Sequence, residues 1–83
     1  QIKYFSENTL AIILAEKIQN VRAIKYELSQ LGESTWNYFN AGKEMQYWYY
    51  ANIIEQIKKY HPNAVLLPDL ECGVKQLFAP VEN

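Results

Sequence analysis

Two side chains in this 83-residue chain are equipped for nucleophilic or proton-transfer chemistry: its single histidine, His61, and its single cysteine, Cys72. A catalytic thiol–imidazole pair needs a third group that orients the base. No Asp, Ser or second Cys stands at a diagnostic spacing from either residue. His61 falls just past a helical pattern, where it would cap the helix or meet solvent. Cys72, in the run Leu70-Glu71-Cys72-Gly73-Val74, is expected to be a buried structural thiol. One His and one Cys cannot complete a four-ligand zinc site. The carboxylates are spread singly, and none pairs with a His at i,i+3 or i,i+4, as carboxylate metal centres in helical bundles require. Gly32, Gly42 and Gly73 are isolated, so no glycine-rich loop can cradle a phosphate. The expectation is a protein without catalysis, cofactor or metal.

The remaining unusual feature is aromatic. Tyr47-Trp48-Tyr49-Tyr50 is a run of four aromatic residues in a chain that carries twelve in all. On a helix, Tyr47, Tyr49 and Tyr50 share an apolar arc with Ile53, Ile54, Ile57 and Tyr60. Trp48 projects about 100° from Tyr49, onto the arc that holds Glu44, Asn52, Glu55 and Lys59. Met45 lies on that same polar side. Trp and Met displayed among polar residues suit a protein-binding surface; a cover provided by the C-terminal segment is the other reading of Trp48. Ile12 and Tyr26, with Ala23, stand opposite the main apolar stripe of the preceding helix and offer a second contact face. The candidate partner-binding residues are therefore Met45, Trp48, Asn52, Tyr26 and Ile12.

These residues must be positioned by helices. Ser6 is a good N-cap, and Phe5 before it stands in the staple relation to Leu10. Leu10, Ile13, Leu14, Ile18, Val21, Ile24, Leu28 and Leu31 then fall within about 140° of arc without a slip, which predicts one continuous helix from about residue 7 to 31. Lys17 and Lys25 lie inside that arc, where their stems can cover apolar surface. Gly32 ends the helix. Ser34 or Thr35 is expected to cap a second helix carrying Trp36 and Phe39, interrupted or only bent at Asn40-Ala41-Gly42. From Lys43 the pattern runs to Tyr60 and stops before Pro62, with Glu55 and Lys59 a favourable i,i+4 pair. Asp69 is expected to cap a short last helix, from about Leu70 to Ala79, with Val74, Leu77 and Phe78 facing inward.

The fold class that follows is mainly α: a helical hairpin of two long helices with a short C-terminal helix across it, forming one domain over residues 1–83. Residues 2–5 and Ala64-Val65-Leu66-Leu67 could add a minimal two-stranded ribbon.

Composition limits the function. The net charge is −1, from eight basic and nine acidic side chains. No basic block is present to displace counterions from a nucleic acid, which counts against DNA without excluding it. Leu10 to Ala15, the longest apolar run, is too short for a membrane span, and Glu16-Lys17 stand where a signal-peptide cleavage site would need small residues. A lone cysteine forms no internal disulfide, which fits a cytoplasmic location.

Two resemblances fall between Val21 and Lys43. Leu28-Ser-Gln-Leu-Gly-Glu-Ser34, with Tyr38-Phe39 and Lys43-Glu44, resembles the turn and recognition helix of tetracycline-repressor-type helix-turn-helix proteins. The interval from Gly32 to Tyr38-Phe39 is shorter than in that family by most of a turn. Ala23 to Ser34, with Phe39-Asn-Ala-Gly-Lys43, is similar to part of the Rubisco assembly chaperones, and that resemblance implies an all-helical dimer that clamps a peptide. The similarity to the Rubisco assembly chaperones ends at Lys43. The expected function is a small, non-enzymatic, self-associating helical module that binds a protein partner. A DNA-binding regulator with a degenerate helix-turn-helix at residues 28–43 is the alternative.

Overall fold

Ser6 starts the first helix as its type suggests: its side-chain oxygen accepts from the Thr9 amide at 3.1 Å. In the computed structural model, which describes residues 2–39 and 42–78, helix α1 runs unbroken over Glu7–Leu31. It ends where Gly32 takes φ +68°, the left-handed conformation that glycine reaches without a Cβ penalty. Phe5 packs beside the core that contains Leu10, as the staple requires.

The next segment departs from expectation. Ser34 and Thr35 cap no α-helix. Residues Gly32–Tyr38 form a 3-10 helix instead, and the Ser34 hydroxyl donates back to the Leu31 carbonyl at 2.7 Å. Phe39 is extended and Gly42 has φ +76°. Asn40 and Ala41 lie outside the described residues; among those described, the 3-10 helix ends at Tyr38 and the α-helix begins at Gly42. Trp36, on this 3-10 helix, is buried against Phe39 and Phe78, stacking on Phe78 at 5.4 Å between centroids. Helix α2 follows over Gly42–Tyr60.

Helix α3 spans Leu67–Phe78, three residues longer at its start than the sequence pattern indicates. Pro68 sits in its first turn, where a missing N–H costs nothing. The proposed ribbon is not formed, and among the described residues there is no strand. Ile2–Tyr4 is a single 3-10 turn closed by Phe5 N–H to the Ile2 carbonyl. Ala64 and Leu67 donate to His61 and Ala64 carbonyls in successive turns. The backbone groups that a ladder would have used are spent locally.

Helix α3 packs against both long helices, whereas α1 and α2 approach each other closely at few points. The core gathers Leu10, Leu14, Val21 and Ile24 of α1, Trp36 of the 3-10 helix, Tyr50, Ile54 and Ile57 of α2, and Leu67, Leu70, Val74 and Leu77 of α3. Ile57 and Leu70 are wholly buried, each worth about 1.5–3 kcal/mol relative to exposure. One polar link joins each pair of helices. Lys25 donates to Gln76 (α1–α3, 2.6 Å), Lys58 pairs with Glu71 (α2–α3, 2.6 Å), and Lys17 donates to the Tyr49 hydroxyl (α1–α2, 2.6 Å). Lys17 and Lys25 thus use the apolar arc to reach a neighbouring helix.

Candidate functional site

The chemistry-bearing residues do not converge. The His61 Nε2 lies 2.7 Å from the Ile2 carbonyl, which can only accept, so that nitrogen carries the proton and pins the N-terminal turn to the end of α2. Cys72 is exposed, correcting the expectation of a buried thiol. Its place follows from the phase of α3: Leu67, Leu70, Val74 and Leu77 define the buried arc, and Cys72 falls opposite it. His61 and Cys72 border separate clefts. Among the described residues, no three of His, Cys, Asp and Glu are gathered where they could hold a metal ion.

What the fold does assemble is an apolar surface on α2. The buried arc of this helix is set by Tyr50, Ile54 and Ile57. Trp48 points almost directly away from them and is 59% exposed, with Met45 52% exposed one turn earlier. α3 does not cover Trp48. Met45 and Trp48, with Gln46 and Tyr49, line a shallow cleft of about 280 Å³. The Asn52 side chain donates to the Trp48 carbonyl at 3.0 Å, so Asn52 borders this face but spends its amide on its own helix.

Gln46 and Tyr49 also form the wall of a second cleft that sequence patterning did not indicate. This groove, about 380 Å³, runs between α1 and α2. Ile24, Tyr50 and Phe39 supply apolar lining, and Asn20, Ala23 and Glu27 form the α1 wall. Lys17 closes one end, donating to the Tyr49 hydroxyl with its ammonium 4.9 Å from the ring centroid. The groove lies between two long helices that each pack on α3 and approach each other closely at few points.

Ile12 and Tyr26 are exposed on α1, 61% and 67% respectively, as the stripe analysis required. They line neither of these two clefts. The five candidate residues therefore divide into Met45, Trp48 and Asn52 on α2, and Ile12 and Tyr26 on α1.

The segment resembling a helix-turn-helix has a 3-10 turn where a recognition helix would begin, and an α-helix resumes only at Gly42. Of the cations that could face DNA there, Lys25 is hydrogen-bonded to Gln76 and Lys43 stands 3.8 Å from Glu33. Compared with protein-family models, curated proteins and solved structures, the chain matches none.

Proposed function

We propose that this chain is a small, non-enzymatic helical module that binds protein through the outward face of α2 and associates with itself. The observation that carries this reading is Trp48, displayed in contact range of Met45 and Tyr49 on the side of α2 opposite the core. A large aromatic left in water gains nothing for the monomer, whereas Trp, Tyr and Met are the residue types enriched in the energetic centres of interfaces. Gln46, which borders the same cleft, and Glu55, on the same side of the helix, suit the hydrogen-bonding rim that such centres carry.

The test is affinity capture with the wild-type chain and with a Met45→Ala/Trp48→Ala variant, matched by circular dichroism. A protein, or a second copy of the chain, retained by wild type and lost by the variant supports the reading. Equal capture by both chains removes the α2 face from the function.

A further inference from the structure

The 3-10 segment between α1 and α2 is held to the molecule differently from the helices. We infer that residues 32–39 form a strap that opens as a unit while the three helices stay folded, baring an aromatic surface that the closed form hides. The inference goes beyond the interaction reading and does not depend on it, since no strap residue lines the cleft at Trp48.

Three observations support it. First, the strap is bracketed by Gly32 at φ +68° and Gly42 at φ +76°. A Cβ built at either glycine would meet nothing within 4 Å, so no packing contact pins these two points, and glycine can change φ at little steric cost. Second, its hydrogen bonds are local. The Ser34 hydroxyl donates to the Leu31 carbonyl, Phe39 N–H to the Trp36 carbonyl and Gly42 N–H to the Phe39 carbonyl. Among the described residues, no hydrogen bond joins the strap to α3 or to α2 beyond Gly42. Its own 3-10 bonds run over seven residues, a length that their poorer geometry makes uncommon. The ion pair of Glu33 with Lys43, at 3.8 Å, is exposed at both ends and adds little.

Third, two polar groups are closed in without partners. Thr35 is wholly buried and its hydroxyl bonds to nothing; the indole N–H of buried Trp36 has no acceptor. A buried polar group left unpaired favours any state that returns it to water. What holds the strap down is apolar: Trp36 packs on Phe39 and stacks on Phe78. Opening trades that aromatic packing for hydration of both polar groups. The core around Ile57 and Leu70 has no such compensation, because these wholly buried side chains carry no polar atom. The strap therefore opens more readily than the helices unfold. Opening lifts Trp36 from the Phe78 ring, which also meets Tyr47 and Tyr50 at 5.4 and 6.2 Å between centroids.

The experiment is native-state amide hydrogen exchange on the full chain, read by NMR at a series of sub-denaturing urea concentrations. The amides of residues 35–39 should share one opening equilibrium. They should exchange about a hundredfold or more faster than the amides of Ile57 and Leu70, and respond less to urea than global unfolding does. Thr35→Val keeps the shape of the side chain and deletes the unpartnered hydroxyl, so it should slow exchange in the strap by roughly tenfold. Exchange of residues 35–39 together with the core amides, at the same urea dependence, overturns the strap. So does exchange as fast as in an unstructured peptide, which would mean that the segment never closes. A Thr35→Val chain whose strap exchanges faster would show that the hydroxyl has a partner, and it overturns the balance argued here. If that variant does not fold, the wild-type comparison of strap and core amides decides alone.

Discussion

Lys17 and Tyr49 lie 32 residues apart in sequence and meet across the groove, the lysine donating to the phenol oxygen at 2.6 Å with its ammonium 4.9 Å from the ring centroid. The contact joins two helices that otherwise approach each other at few points. Tyr49 is exposed, so solvent competes for both ends. Tyr49→Phe should cost no more than about 1 kcal/mol, the usual net worth of one such hydrogen bond. The midpoint of urea unfolding measures it; a loss of several kcal/mol would mean that the bridge holds the fold together.

Gly73 lies where α3 packs closely on α1. A Cβ built there would stand 3.2 Å from Val21 Cγ1, and Val21 is itself buried. Two effects oppose each other in Gly73→Ala. Helix propensity favours alanine by about 1 kcal/mol, and the crowded contact takes back a similar amount, so the net change should be small. Gly73→Leu should destabilise by about 1–3 kcal/mol through overpacking. Val21→Ala should then offset part of that loss in the double mutant, which a double-mutant cycle on thermal unfolding reads directly.

Leu70 and Leu28 separate core from margin. Leu70 is wholly buried between the long helices, and Leu28 is half-buried near the end of α1. Leu70→Ala should cost about 3–5 kcal/mol and Leu28→Ala closer to 2. Equal losses in denaturant unfolding would mean that α3 is no better packed than the end of α1.

Tyr50 predicts an alkaline limit. Its burial pushes the phenol above the ordinary tyrosine range, with Tyr49 adding to the rise. The folded chain therefore holds the proton more tightly than the unfolded chain, which releases it near pH 10. Stability from this group is intact below about pH 10 and is lost as pH rises through the folded value. Tyr50→Phe should unfold less steeply between pH 9 and 11 than wild type. Identical pH profiles would show that Tyr50 does not contribute.

Helix α1 was readable because every local signal agrees: the Ser6 cap, an unbroken apolar phase and Gly32 at its end. On α2 the pattern gave the inward side of Tyr50, Ile54 and Ile57 and the outward direction of Met45 and Trp48, but Tyr47, Tyr49 and Tyr60, expected on the apolar arc, are exposed at its edges. Three features were not. The break before α2 depends on Trp36 finding Phe78, a partner 42 residues downstream. The start of α3 was hidden by Pro68, which ends helices from within but is tolerated in their first turn. Cys72 was expected to be buried on its residue type alone, and its place opposite Leu70, Val74 and Leu77 exposes it. The α1–α2 groove arises from how the helices pack on one another, and no periodicity within α1 or α2 encodes it.

The most direct measurement of the central claim compares wild type and Trp48→Ala in two readouts on the same samples: folding stability by chemical denaturation, and self-association by analytical ultracentrifugation. Trp48 points away from the core, so its removal should change monomer stability by no more than about 0.5 kcal/mol while association falls sharply. A Trp48→Ala chain that unfolds, or one that associates as tightly as wild type, would contradict the assignment of the α2 face as a binding surface.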